Sequence, residues 1–483
     1  MLSAFTGTTI RAAEQPLLDA GAGPELMARA AYGLANAALW QLSRGGLVYG
    51  SSVVLLVGSG NNGGDALYAG ELLIRRGVRV TAVLVSERAH PQAFEAFQLA
   101  GGNVLRLATE PSCCLEQALA ADLIIDGILG TGARGGLRGA AAELVEKLAE
   151  HSPPVLACDL PSGVDANTGE VSGPVLRANH TVTFGGVKAG LLLPPAEEYA
   201  GGLSLIDLGL ELPEAALNRL DERDLADLWP WPGTTDHKYS RGVLGVVAGS
   251  QAYPGAAQLA LGGALAAGVG MIRYLGPAPI PPEVVRGAET VAANRVQAWL
   301  VGPGVASDVE QERRCFDALT SGLPVVADAG ALSLLPDTLG PQVVLTPHAG
   351  ELAALLSRRG HLTERVDVER SPVQHARQVA ELTGATVLLK GSTTVVVSPR
   401  GAAYSQAEGT PWLATAGSGD TLSGILGALL AAGVKPALAA AMAASVHGRA
   451  GVFASDGGSI TAREIAESVP QVLRQLNARN STA

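Results

Sequence analysis

The sequence predicts an α/β protein in two domains, and three observations carry the prediction. Apolar runs of β type repeatedly end in glycine-rich turns that open Ala/Leu-rich helical stretches, the pattern of parallel sheets wrapped by helices. Glycine is abundant at 61 residues while aromatic residues make up only 4%. The chain has 483 residues, 47% hydrophobic against 16% charged, which is more apolar material than one core ordinarily organises.

In the first half, strands are predicted at VVLLVG (Val53–Gly58), VRVTAVLV (Val78–Val85), DLIIDGIL (Asp122–Leu129) and PVLACDL (Pro154–Leu160). Each is nearly continuous in apolar residues, as a strand covered on both faces should be. VLGVVAG (Val243–Gly249), AWLVGPG (Ala298–Gly304), PVVADAG (Pro324–Gly330), VVLTPH (Val343–His348) and TVLLKG (Thr386–Gly391) repeat the theme in the second half. Between them, from Glu211 to Gly242, charge density rises and Trp229–Pro232 interrupts any regular element. The boundary is placed near Asp224, giving domains 1–222 and 223–483.

A net charge of −11 gives no electrostatic footprint for nucleic acid or an acidic membrane. Small anions stay open, because backbone amides bind phosphate without net positive charge. Four cysteines, Cys113, Cys114, Cys158 and Cys315, are too few and too irregularly spaced for a disulfide framework or a zinc cluster. The first residues do not read as a secretory signal, and the longest strongly apolar stretch, Leu259–Ile272, is short of a membrane span. The expected location is the cytoplasm.

VVLLVG runs straight into SGNNGGDALYAG, a turn that opens a helix and presents backbone N–H groups where an α/β sheet binds phosphate. It also reads as a tight structural connection. Asp126 and Asp159 end later strands beside flexible glycine or proline. Oxygens of Asn62, Asp126 and Ser162 would suit a hard cation, and Asp159 could exchange a proton with a ligand. Aspartates at strand ends also serve as caps.

GNNGGD (Gly60–Asp65), DGILGTG (Asp126–Gly132) and DLPSGVDANTG (Asp159–Gly169), with ELMARA (Glu25–Ala30), resemble the NAD(P)H-hydrate epimerase domain over nearly all of residues 1–222. The resemblance implies that Asn61, Asn62, Gly63, Gly64 and Asp65 hold the hydrated nicotinamide nucleotide. It assigns the same task to Gly130, Thr131, Gly132, Ala133, Arg134, Gly135 and Gly136, and puts Asp159 at the reacting ring. It further implies potassium bound through Asn62, Asp126 and Ser162. Ala66 departs from the glycine usual in that family.

In the second half, ATAGSGDTLSGILGALLAAGV (Ala414–Val434) delivers Gly417, Ser418 and Gly419 to the start of a long apolar helix, where amides can stabilise charge on a transferring phosphoryl group. Asp420 at the same entrance can accept a proton from an attacking hydroxyl, or simply cap the helix. GSGD before a helix resembles the ribokinase-type superfamily. His237–Ala257, Val301–Val305, LTPHAGELAALL (Leu345–Leu356) and LLKGSTTVV (Leu388–Val396) narrow the resemblance to the ADP- or ATP-dependent NAD(P)H-hydrate dehydratase domain over about residues 225–480.

That resemblance implies adenine-nucleotide contacts from Lys390, Gly391, Ser392, Thr393, Thr394 and Gly419, and substrate near Ala256, Gly304, His348 and Asp420. His348 is expected to donate to substrate. Lys390 is left between a phosphate contact and a solvent-facing side chain. Gly330 and Thr410 stand where relatives commonly carry aspartate and asparagine. Together the two resemblances imply an N-terminal Rossmann-like three-layer sandwich and a C-terminal ribokinase-like α/β domain. The implied enzyme epimerises hydrated NADH and NADPH and dehydrates the S epimer with ADP, or ATP, as phosphoryl donor, using K⁺ in the first domain and Mg²⁺ in the second. A vitamin-precursor kinase with a non-catalytic N-terminal module is the competing reading. The Ala/Leu-rich helical surface points to a homo-oligomer.

Overall fold

The computed structural model describes residues 1–480 apart from Leu47, Arg134 and Ala402. The chain divides into two units, Ser3–Ala216 and Leu217–Ala483, the latter joined by Met1–Leu2.

The N-terminal unit contains β1 (Leu2–Phe5), β2 (Ser52–Val57), β3 (Arg79–Leu84), β4 (Asn103–Arg106), β5 (Leu123–Gly127), β6 (Val155–Cys158), β7 (His180–Phe184), β8 (Val187–Lys188) and β9 (Gly202–Ile206). Its main sheet runs β4-β3-β2-β5-β6-β7-β9, and its strand pairs are parallel. The short β1 and β8 pair separately, Phe5 opposite Lys188.

Two hydrophobic cores explain why the strands read as unbroken apolar runs. Val53, Leu55 and Val57 of β2 face a core shared with Leu34 of helix Gly23–Gly45, Leu67 of helix Asn61–Ile74 and Phe97 of helix Pro91–Leu99. The alternate residues Val54 and Leu56 face a second core with Cys114 of helix Pro111–Leu119 and Leu144 and Leu148 of helix Gly139–His151. Period-2 alternation thus buries both faces, and the result is a three-layer α/β sandwich.

The C-terminal unit contains β10 (Leu217–Arg219), β11 (Val243–Val247), β12 (Met271–Leu275), β13 (Val285–Arg286), β14 (Ala298–Val301), β15 (Val325–Ala327), β16 (Val343–Leu345), β17 (Thr386–Leu389), β18 (Thr394–Val397) and β19 (Ala403–Gln406). These run β13-β12-β11-β14-β15-β16-β17-β18-β19-β10. Pairing is parallel as far as β17 and antiparallel through β18 to β19.

Helices Pro254–Ala266, Ser418–Ala431, Pro436–Ser455 and Ala462–Asn480 cover one face through Leu261, Ile425, Met442 and Val469. The first two pack backbone to backbone: a Cβ on Gly424 would strike the Ala260 carbonyl. Helix Pro436–Ser455 is long and apolar enough to cross a membrane by length and composition, and 67% of its apolar window is buried inside the structure. It supplies Ala439–Ala443 to the core. The stretch Leu259–Ile272 singled out in the sequence spans a core helix and the start of β12.

The five tryptophans are unevenly shared. Trp299 in β14 is fully buried, Trp229 is 5% exposed, and Trp231 and Trp412 lie in the same unit. Trp40 stands alone in the N-terminal unit, 53% exposed with the Arg44 guanidinium over its ring.

Candidate functional site

In the N-terminal unit the strand order reverses between β2 and β5, so their carboxyl ends open a crevice, the usual ligand position in a doubly wound sheet. A cavity of about 430 Å³ occupies it. Asn61 and Asn62 reach it from the first turn of helix Asn61–Ile74 and Asp65 from the second, Gly130–Ala133 from the loop after β5, and Asp159 from the end of β6. Gly63 and Gly64 are buried within that first turn and do not line the cavity, nor do Gly135 and Gly136. Arg134 lies outside the described residues.

Of the three expected cation ligands, Ser162 and Asp126 touch, and Asn62 and Ser162 both reach the Leu129 carbonyl oxygen. Ser162 donates to Asp126 through Oγ at 2.6 Å and through its backbone N–H at 2.8 Å. Asn62 spends Nδ2 on the carbonyls of Leu129 (2.9 Å) and Cys158 (2.6 Å), so Oδ1 is the atom it could offer a cation. Burial pushes the Asp126 carboxyl up, against three hydrogen bonds from Ser162 and Ile128 that favour its charged form. A buried carboxylate whose hydrogen-bond partners are all uncharged, beside amide and hydroxyl oxygens, is a donor set that fits a hard monovalent cation.

Asp159 has a left-handed backbone, φ 68°. One carboxylate oxygen forms an ion pair with Lys188 and accepts from Phe184 N and Thr183 Oγ1, each at 3.3 Å. The other accepts from Thr131 Oγ1 at 2.5 Å and Thr131 N at 3.3 Å. Burial works against the charge on Asp159, but Lys188 and these hydrogen bonds outweigh it, holding the carboxyl below its ordinary value. Asp65 goes the opposite way: burial, then the charges of Asp159 and Glu14, push it well up despite Lys188. Burial also raises Glu14. The cavity therefore holds one carboxyl below its ordinary value and one pushed well above it, the divergence expected of a base and an acid. Sequence reasoning missed Lys188 and Glu14. A single lysine inside the apolar run after β7 was the available signal.

In the C-terminal unit, Gly417 takes a left-handed conformation (φ 88°) immediately before helix Ser418–Ala431, with Asp420 in its first turn. Burial and then the charge of Asp328 raise the Asp420 carboxyl to about 7, against Lys390 and with a further push from Glu351. Lys390 leaves β17 with its ammonium 3.0 Å from Asp328 and 3.8 Å from Glu351. Ser423 donates to the other Asp328 oxygen at 2.7 Å. The lysine side chain is 20% exposed, so it faces carboxylates rather than open solvent. Residues Gly391–Thr393 form the turn between β17 and β18, and Thr394 opens β18.

His348 caps helix Ala349–Arg358, its Nδ1 accepting from Gly350 N (3.1 Å) and Glu351 N (3.2 Å). In the neutral ring this puts the proton on Nε2, the donor the sequence leads one to expect. Ala256 and Gly304 are neighbours, a Cβ on Gly304 falling 2.7 Å from that of Ala256. Gly330 has no room for a side chain, since a Cβ there would strike the Val305 carbonyl. Thr410 caps the turn Pro411–Leu413 through its hydroxyl, which accepts from Trp412 N at 3.4 Å.

Asp328, Glu351 and His447 were not anticipated as site residues. His447 is buried, with Nε2 3.0 Å from the Ser418 carbonyl oxygen. Burial lowers its ring to about 4, so it is neutral at the edge of the glycine loop. Among the described residues no group of three or more His, Cys, Asp or Glu side chains is placed to hold a metal ion.

Comparison with known proteins bears on both halves. A family model described as YjeF-related protein N-terminus matches residues 23–190, and one described as NAD(P)H-hydrate dehydratase matches residues 244–471. The chain is 44% identical over 466 residues to the bifunctional NAD(P)H-hydrate repair enzyme Nnr of Mycobacterium leprae, covering 93% of this chain and 94% of that protein. The enzyme of the same name from Escherichia coli is 30% identical over 450 residues, covering 88% and 84%. A crystal structure of ADP/ATP-dependent NAD(P)H-hydrate dehydratase from Bacillus subtilis, co-crystallised with ATP/Mg²⁺, is similar at 27% identity and TM-score 0.48, covering 53% of this chain and 98% of its own.

Proposed function

The chain belongs to the family of bifunctional NAD(P)H-hydrate repair enzymes, and from that premise we propose how its two sites divide the repair. Residues 1–222 interconvert the R and S epimers of hydrated NADH and NADPH, and residues 223–483 dehydrate the S epimer at the expense of ADP, ATP being the alternative donor. The observation that supports this most is that one chain carries both an Asp159/Asp65 pair at a sheet switch point and an Asp420 carboxyl at a glycine-rich helix entrance.

Inversion at a carbon bearing a hydroxyl beside a ring nitrogen requires a bond to that carbon to break and re-form on the other face. Ionised Asp159 takes the hydroxyl proton as the carbon–nitrogen bond opens to an aldehyde, and Asp65 gives a proton to the departing nitrogen. Closure on the opposite face returns both protons. Asn61, Asn62 and Gly130–Ala133 hold the nucleotide around this centre. Potassium, when bound through Asn62, Asp126 and Ser162, would fix the loops after β5 and β6 by neutralising the buried carboxylate.

For dehydration, Asp420 takes the ring hydroxyl proton while that oxygen attacks the terminal phosphorus of ADP and the bond to AMP breaks. Phosphate then leaves with the carbon–oxygen electron pair, and a proton lost from the adjacent carbon restores the dihydronicotinamide. Amides of Gly417–Gly419 meet the charge on the transferring group. Lys390–Thr394 hold the nucleotide, and His348 Nε2–H, Ala256 and Gly304 border the substrate. Mg²⁺ would supply charge neutralisation on the nucleotide phosphates held by Lys390–Thr394. The proposal extends to a homo-oligomer in the cytoplasm, checked by light scattering and cell fractionation.

The test is recovery of the reduced-nicotinamide absorbance from mixed-epimer hydrated NADH with Mg²⁺ and ADP, then ATP. Recovery of both epimers only with adenine nucleotide is the expected result. In Asp159→Ala, recovery should stop at the S fraction. Recovery with neither nucleotide, joined to ATP consumption on an added alcohol, would replace the dehydratase by a kinase.

A further inference from the structure

We infer that Lys188 is a positioning residue of the epimerase reaction: its ammonium, sealed inside the N-terminal unit, keeps the Asp159 carboxylate charged and aimed at the ligand cavity. The inference rests on the epimerase reading above and adds a residue that none of the recognised motifs contains.

The Lys188 side chain is 2% exposed, and an ammonium taken from water must find compensating partners. It has two, the Asp159 carboxylate and the Phe184 carbonyl oxygen at 2.8 Å. Its backbone is fixed because β8 pairs with β1 at Lys188 itself. The side chain also lines the same cavity as Asp159, Asp65 and Glu14.

Those neighbours make the cation necessary. Asp65 comes from helix Asn61–Ile74, while Glu14 and Arg11 come from helix Gly7–Asp19. The Cys158 thiol and the Asp126 carboxyl face the same cluster from β6 and β5. Three carboxyl groups, those of Asp65, Glu14 and Asp159, line the one cavity, and with Lys188 removed they would compete for protons. Thr131, Thr183 and the Phe184 amide orient Asp159 but carry no charge, so they cannot substitute for the ammonium. A lysine that merely filled space would leave the proton affinity of Asp159 untouched.

The experiment measures R-to-S conversion of hydrated NADH by the full chain between about pH 5.5 and 9.5, in wild type, Lys188→Gln and Lys188→Arg. Lys188→Gln is expected to lose roughly tenfold or more in kcat at neutral pH, with KM little changed and the acid limb, which lies below this range in wild type, raised several units into it, so that kcat recovers at the alkaline end. Lys188→Arg keeps the wild-type acid limb at a reduced kcat. A Gln variant with the wild-type acid limb, or with an equal loss at every pH, overturns the inference. Should Lys188→Gln fail to fold, as judged by its melting curve, the Arg variant decides: a wild-type limb supports the role and a shifted limb refutes it. Dehydration of the pure S epimer is read in parallel and should be unchanged. Wild-type protein that cannot convert R to S would overturn the epimerase reading, and this inference with it, an outcome separate from any variant effect.

Discussion

Asp420 enters a helix whose N-terminus favours a charged carboxylate, yet burial and the neighbouring Asp328 and Glu351 raise it to about 7. A base with that affinity works only when it has lost its proton. The rate of S-epimer dehydration is therefore expected to fall as pH drops through about 7, read from kcat against pH, and Asp420→Asn should lose about 10²–10⁴-fold in kcat. The same residue has a stability consequence of definite sign. Its proton is held to about pH 7 in the folded chain but leaves near the ordinary carboxylate value of 3.8 in the unfolded one, so its ionisation costs stability increasingly from about pH 4 to 7. Asp420→Asn should melt higher than wild type at about pH 8, the gap closing as pH falls toward 4. Asn62, Asp126, Asp159 and Asp420 were legible in the sequence because each sits in a local pattern at the end of a strand or the start of a helix. Lys188, Glu14, Asp328 and Glu351 were not, since only the folded chain brings Lys188 across 29 residues to Asp159 or Lys390 across 62 to Asp328.

Strands buried on both faces were legible for a simple reason: β2, β5, β11 and β14 are almost wholly apolar, and they end where glycine, aspartate or proline begins. Edge and outer strands were not. β4 and β9 are mostly exposed or half-buried, and β13 is exposed at both residues, so no hydrophobic run marks them. Helix contacts were equally silent, because closeness between backbones leaves only a small residue as its trace. Gly424 is such a trace, pressed against Ala260. Gly424→Ala should cost about 1–3 kcal/mol by overpacking, seen as a lower Tm of the C-terminal unit, while the ion pair between Lys390 and Asp328, made outside that helix, survives. The dehydratase activity of that variant should persist at low temperature and disappear earlier on heating.

At the scale of the molecule, each unit has its own cores and its own site, so the two activities should separate cleanly. Replacing potassium by a bulky organic cation is expected to slow epimerisation, whose site holds the buried Asp126, and to leave dehydration of pure S epimer unchanged. Parallel assays of the two half-reactions in both salts check it. Asp420→Asn should do the reverse. The distribution of indoles adds an optical asymmetry. Four of the five lie in the C-terminal unit, with Trp299 fully shielded and Trp229 nearly so, whereas Trp40 is already half in water before any unfolding. The red shift of emission on heating will then come almost entirely from the dehydratase half, and the epimerase half will melt nearly unseen. Far-ultraviolet dichroism, to which both halves contribute through their helices, is the signal in which a second transition would surface.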